Sequence, residues 1–183
     1  MIYEKTTFTL KDGRTAILRS PCEDDAAEML DFIRRSSGET VFLMKYPEEC
    51  DSYTLEKERE LFRLTGEDPY SLMIACVVDG RIAANCLLAF RNRIKEAHRA
   101  SVSVTVLKEY WGLGIGTKLM EEMCRIAGER EGILQIELEF IEGNERARRL
   151  YEKAGFRITG TRPDAIRLKD GTLLNEYMMV RKL

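Results

Sequence analysis

The stretch Tyr110-Trp111-Gly112-Leu113-Gly114-Ile115-Gly116-Thr117 has the residue types and spacing best suited to binding chemistry in this 183-residue chain. Its glycines follow an alternating valine run and precede a run with helical spacing. A strand-to-helix turn of this kind presents consecutive backbone N–H groups at the positive end of a helix dipole, where phosphate oxygens are stabilised. Glycine permits positive φ and removes the Cβ that would keep a phosphate away. The pattern is not a dinucleotide-binding fingerprint, because Gly112 and Gly114 would require a glycine where Thr117 stands. It is not a Walker loop either, since the four-residue gap followed by Gly-Lys is missing. A flexible connection that binds nothing remains the alternative at this point.

Other reactive side chains are sparse. His98 is the sole histidine, so no histidine-rich metal site exists and only one imidazole could serve a Cys or Ser nucleophile. Cys22, Cys50, Cys76, Cys86 and Cys124 are widely spaced and contain no C-x-x-C pair. They read as reduced, mostly buried thiols rather than a disulfide framework or a zinc cluster. No metal site is expected.

These residues need elements to hold them. Thr6 to Leu10 and Thr15 to Arg19 flank Asp12-Gly13 as a hairpin, and Leu72 to Val78 and Ile82 to Phe90 flank Asp79-Gly80 as a second. Ala26, Ala27, Met29, Leu30 and Ile33 predict a helix over Glu23 to Arg35, and a charged helix follows from Thr54 to Leu64. From Ala100 to Leu107, valines alternate with Ser101, Ser103 and Thr105, a strand with one aliphatic and one hydroxyl face. Gly116 to Arg130 predicts a helix with Leu119, Met120, Met123, Ile126 and Ala127 inward, and Ile133 to Ile141 a strand. Asn144 to Ala154 is a short helix with Asn144 at its N-cap and Gly155 at its stop. Phe156 to Thr161 and Leu173 to Val180 close the chain as strands. The fold class expected is α/β, a mixed, mostly antiparallel sheet flanked by helices.

Lys and Arg total 29 against 31 Asp and Glu, a net charge of -2 that argues against general nucleic-acid or anionic-membrane binding. The longest apolar run, Leu72 to Val78, falls far short of the roughly 20 residues that span a bilayer. Charge and polarity begin at Tyr3-Glu4, so no signal peptide is visible and a cytoplasmic protein is expected. The length favours one domain.

Joined to Gly143-Asn144-Glu145-Arg146-Ala147-Arg148-Arg149-Leu150-Tyr151-Glu152-Lys153-Ala154-Gly155-Phe156, the glycine turn resembles the GNAT superfamily, the Gcn5-related N-acetyltransferases. The paired motifs are V-x-x-x-[QR]-x-x-G-x-[GA] and N-x-x-A-x-x-x-Y-x-x-x-G-F, and the specific resemblance runs from about Ala100 to Phe156. It implies one N-acetyltransferase domain over residues 1–183: an acceptor-side half over 1–98, an acetyl-CoA-binding core over 99–160 and a C-terminal hairpin over 161–183. It implies acetyl-CoA as co-substrate, with Gly112, Leu113, Gly114, Ile115, Gly116 and Thr117 on the pyrophosphate. The backbone of Val104, Thr105 and Val106 would pair with pantetheine and polarise the thioester oxygen.

By the same resemblance Asn144 contacts the cofactor and Tyr151 donates a proton to the departing thiolate. A phenol of pKa about 10 can protonate a thiolate whose acid has pKa about 8.5 without being ionised itself at neutral pH. Packing is the alternative for Tyr151, which shares a stripe with Ala147, Leu150 and Ala154, and helix capping is the alternative for Asn144. Arg148, with Arg146 and Arg149, could meet CoA phosphates or simply be solvated. Two positions depart from the family pattern. Ser101 stands where many members place a Glu, so the base is unassigned, with Glu137, Glu139 and His98 as candidates. Trp111 replaces the usual Gln or Arg.

Direct attack by an amine needs no covalent enzyme intermediate, which agrees with the missing nucleophilic triad. The acceptor implied is a primary amine on a small molecule, a polyamine or a peptide N-terminus, bound near the first two helices and the C-terminal hairpin. Glu48, Glu49, Asp51, Glu56, Glu58 and Glu60 make the second-helix region acidic, a mouth that would draw a cationic amine by long-range attraction. Lys57, Arg59 and Arg63 interleave, however, and a salt-bridged exposed helix is the preferred reading. A non-catalytic acyl-CoA sensor on the same scaffold is the rival reading. The resemblance also implies a homodimer, for which the sequence itself carries no heptads.

Overall fold

The computed structural model describes Met1–Leu183. Its elements are β1 (Thr6–Thr9), β2 (Thr15–Arg19), α1 (Ala26–Glu39), α2 (Leu55–Glu67), β3 (Ser71–Val78), β4 (Arg81–Phe90), β5 (Arg99–Val106), α3 (Ile115–Glu129), β6 (Gln135–Ile141), α4 (Glu145–Lys153), β7 (Arg157–Arg167) and β8 (Leu173–Lys182). The strands form a sheet of order β1-β2-β3-β4-β5-β6-β8-β7. β5 and β6 pair in parallel, whereas β1–β2, β2–β3, β3–β4, β6–β8 and β7–β8 are antiparallel. This is the mixed, mostly antiparallel α/β arrangement expected from the sequence. No helix is long and apolar enough to cross a membrane.

The chain divides into two compact units, one of Met1–Ala89 with Ser103–Leu119, the other of Phe90–Val102 with Met120–Leu183. In the first, β1 to β4 form an antiparallel ladder built from the two expected hairpins. Asp79 and Gly80 have φ of 51° and 79°, so both central residues of the tight turn are left-handed, as the strand twist favours. β3 is buried along almost its whole length, which explains its unbroken apolar run. α1 starts after a 3-10 turn at Glu23–Asp25 and continues four residues beyond the expected Arg35. Its buried stripe is Ala26, Met29, Phe32 and Ser36 rather than Ala27 and Ile33. Helical spacing alone left that rotation open, and Phe32 fills the core instead.

In the second unit β6 is central. Its register with β8 runs from Gln135↔Lys182 to Ile141↔Glu176, and Ile136, Leu138, Phe140, Phe156 and Met179 are buried. β7 runs six residues past the expected Thr161. Pro163, which cannot donate to a ladder, is absorbed in a register shift between Arg162 and Ile166 on the edge strand, and Asp164 takes φ of 50°. The buried face of α3 carries Leu119, Met120, Met123, Cys124 and Ala127, while Ile126 is only half-buried.

Candidate active site

In the first unit the chain entering the glycine turn is fixed from several sides. Leu107 is buried and its N–H donates to the Ala83 carbonyl at 3.0 Å. The 3-10 turn Lys108–Tyr110 is tied to the end of α1: the Lys108 N–H donates to Glu39 Oε2 at 2.6 Å, and Arg35 pairs with Glu109 at 2.5 Å. Tyr110 is buried with the Arg14 guanidinium 5.4 Å from its ring centre. Beyond the turn, the Leu113 carbonyl accepts from the Lys11 N–H at 3.2 Å.

Between these anchors Gly112 and Gly114 have φ of 82° and 98°, which L side chains rarely adopt. Gly116 lies inside α3 and needs no such freedom. The main-chain N–H groups of Gly112 to Thr117 donate to no other main-chain group; those at the start of α3 are the orphan donors that every helix leaves. A Cβ placed on Gly112 or Gly114 would meet no protein atom within 4 Å. Unsatisfied donors facing open space at a helix start fit an anionic group such as a diphosphate.

Trp111 performs a task that the sequence did not reveal. Its indole Nε1–H donates to the Val106 carbonyl at 2.7 Å, tying the turn to the end of β5. An Arg or Gln would offer a charge or amide outward; Trp111 spends its donor on the main chain. Val104, Thr105 and Val106 are half-buried, and the Val106 carbonyl is already engaged.

In the second unit α4 carries Asn144, Arg148 and Tyr151. The Asn144 side chain accepts from the Ala147 N–H at 3.2 Å, an N-cap bond. Arg148 pairs with Glu152 one turn on at 2.9 Å. Burial first, then the like charge of Arg149, lowers the Arg146 pKa, so cations crowd the first turns of this helix. Tyr151 is the one buried residue of α4, with ring centres 6.2 Å from Phe140 and 6.3 Å from Phe156.

The candidate bases fare differently. Ser101 is the register partner of Glu137 on β6. Burial pushes the Glu137 carboxyl up, but hydrogen bonds from Arg99, at 2.6 Å to each oxygen, and from Gln135 outweigh this and hold it below the usual range. A carboxylate clamped in this way is a weak proton acceptor. Glu139 pairs with Arg162 at 2.9 Å. The His98 carbonyl accepts from the Leu134 N–H at 2.8 Å, and its imidazole shows no partner that would orient it.

Glu58 overturns the exposed-helix expectation at one position. Arg63 does pair with Glu60 and Glu67 on the surface of α2. Glu58, however, is 2% exposed and buried beside Phe62 on the inner stripe, while Leu61 and Leu64 face out. Burial alone raises its carboxyl above the usual range, with no hydrogen bond or charge acting against it. The interleaved charges concealed this, since an inward Glu among outward leucines inverts the ordinary pattern.

Comparison with known proteins agrees with both motifs. The model of the acetyltransferase (GNAT) family matches residues 35–156. The chain is 31% identical over 116 residues to the uncharacterized N-acetyltransferase Rv2669 of Mycobacterium tuberculosis, covering 63% of this chain and 70% of that protein. It is 27% identical over 119 residues to the L-amino acid N-acetyltransferase AaaT of Escherichia coli, covering 65% and 72%. Among solved structures, a GNAT acetyltransferase from Streptococcus pneumoniae superposes with a TM-score of 0.85 at 24% identity, covering 92% of this chain and 99% of that one. A GCN5-related N-acetyltransferase from Kribbella flavida superposes with a TM-score of 0.76 at 29% identity, covering 92% and 98%.

Proposed function

Because this chain belongs to the acetyltransferase (GNAT) family, we propose that it transfers the acetyl group of acetyl-CoA to a primary amine by direct attack in a ternary complex. The glycine turn is the observation that carries this reading. Six consecutive residues, Gly112 to Thr117, offer N–H groups that no main-chain carbonyl takes, and two of them hold the left-handed backbone a cradle requires. These donors hold the diphosphate of acetyl-CoA, which supplies a thioester activated toward amines. Val104 and Thr105 pair with the pantetheine arm through their backbone. Val106 contributes its N–H, because its carbonyl is held by Trp111.

Tyr151 is the proton donor to the leaving thiolate, its ring fixed between Phe140 and Phe156. Asn144 acts first as the cap that sets the start of α4. Arg148, with Arg146 and Arg149, supplies positive charge for CoA phosphates. The amine must be neutral to attack, and a lysine-like ammonium is neutral on the order of one time in two thousand at pH 7. The clamped Glu137 and the serine at 101 are the features that favour the rival reading, a sensor that binds acyl-CoA without turning it over.

Release of free thiol from acetyl-CoA across a panel of primary amines decides between them. The panel starts with free L-amino acids, for which the E. coli relative is named, and extends to their amides, polyamines and short peptides. Thiol release with any of these supports the enzyme. Tight CoA binding with no release for every member favours the sensor, and no CoA binding at all removes both.

A further inference from the structure

The layer between α2 and the sheet contains two acceptor groups that the protein leaves unsatisfied. On α2, Glu58 precedes Phe62 by one turn and so shares its face. Phe62, Thr65 and Gly66 line one pocket with Met73 of β3, which sets the sheet face this stripe covers. Side chains two apart on a strand share a face, as do antiparallel partners. Met73 and Ala75 therefore lie on the same side as their partners Leu87 and Asn85 on β4 and as Arg19, which pairs with Ala75 from β2. Asn85 Oδ1 is buried there without a hydrogen-bond partner.

Charge in this layer does not balance. Its cations are committed. Arg19 is held by Asp25 through two bonds of 2.6 and 2.7 Å. The Met1 ammonium, which lines the same pocket as Phe62 and Met73, donates to the carbonyls of Thr65, Gly66, Asp68 and Ser71. Glu58 has no counter-ion and no donor. A buried carboxylate without a partner is costly, and such residues concentrate where a ligand completes the set. The β4 side of the layer is the more open one: Asn85, Leu87 and Ala89 are half-buried, whereas Met73 and Ala75 beside them on β3 are buried.

Granted the acyl transfer read above, we propose that Glu58 and Asn85 are the recognition groups for the acceptor, a protonated primary amine with no carboxylate on the neighbouring carbon. The amine arrives as an ammonium, which supplies the charge that Glu58 lacks and a donor for Asn85 Oδ1. It becomes the neutral nucleophile only after giving up a proton. An adjacent carboxylate would meet Glu58 with no cation left to offset it, since Arg19 and the Met1 ammonium are both engaged. An amino-acid amide, an alkylamine or a peptide N-terminus fits; a free amino acid fits poorly.

L-leucinamide and L-leucine are a matched pair for the test, compared on wild type, Glu58→Gln and Glu58→Asp. In wild type the amide has a KM lower than the free acid by about tenfold or more, the scale of one charge-assisted hydrogen bond. Glu58→Gln raises the amide KM by a similar factor and erases most of the preference, Glu58→Asp restores part of it, and the KM for acetyl-CoA stays within about twofold throughout. A purely structural Glu58 would leave the amine preference unchanged in the glutamine variant, and that result overturns the proposal, as does equal use of both compounds by wild type. Should wild type acetylate no amine, the acyl-transfer reading falls on its own. Calorimetry of L-leucinamide on the CoA-loaded protein then decides for Glu58: binding present in wild type and lost in Glu58→Gln sustains its role, and any other pattern ends it.

Discussion

Tyr151 and Trp111 each carry one polar atom on a packed ring, so the proposed role of that atom can be tested apart from the packing. Tyr151→Phe keeps the contacts with Phe140 and Phe156 and deletes only the hydroxyl. Thiol-release assays are expected to show kcat reduced about 100-fold, the lower range for a general acid, with the KM for acetyl-CoA little changed. Unchanged turnover would remove the acid assignment. Trp111→Phe deletes the donor to Val106 while retaining most of the apolar surface. A net bond of about 1 kcal/mol corresponds to roughly a fivefold rise in the KM for acetyl-CoA if the end of β5 loosens. Glu58 makes a different prediction, in stability. Its carboxyl pKa is raised by burial, so the folded chain binds the proton more tightly than the unfolded one does. Stability from this group is full below the ordinary value of 4.5 and is lost as pH rises through the folded value. Glu58→Gln is therefore expected to melt above wild type at pH 7, with the difference shrinking toward pH 4, in thermal scans across pH.

Among the elements, the start of α3 is where the proposed cofactor binding is tested, because its backbone rather than its side chains would do the binding. Gly114→Ala forces an L residue to φ near 98°, at a cost of roughly 1–2 kcal/mol. The new Cβ meets no protein atom, so any further loss arises only when phosphate approaches. Calorimetry is expected to show CoA affinity falling by about tenfold or more, beyond what the change in Tm implies. An unchanged affinity would mean that the turn does not contact phosphate. α2 teaches a different lesson about elements. Its period was legible in the sequence, but which face turns inward was not, because Leu61, Leu64 and Phe62 compete for the core and only the neighbouring surfaces settle the outcome.

For the molecule as a whole, the cysteines and the ion pairs define how it responds to chemistry and to acid. Cys50, Cys76, Cys86 and Cys124 are buried and Cys22 is exposed, and burial pushes the Cys76 thiol up to about 12. Brief iodoacetamide treatment of the native protein is expected to modify Cys22 alone by mass spectrometry, and reductant is expected to leave Tm unchanged. Acid acts through Asp25 and Glu137. The bonds from Arg19 lower Asp25 against its burial, and those from Arg99 and Gln135 outweigh the burial of Glu137. Both groups stabilise the fold above their ordinary values of 3.8 and 4.5, and that contribution is lost as pH falls through the lower folded values. The sequence by itself determined the hairpins, the order of elements and the glycine turn, because left-handed glycines, alternation and helical spacing are local constraints that neighbouring residues impose. Only the tertiary structure decided that Glu58 is buried without a partner, that Glu137 is clamped by Arg99 and that Trp111 bonds Val106. Each of those depends on which distant surfaces meet, and the cost of an unpaired charge or donor exists only once water has been excluded from between them.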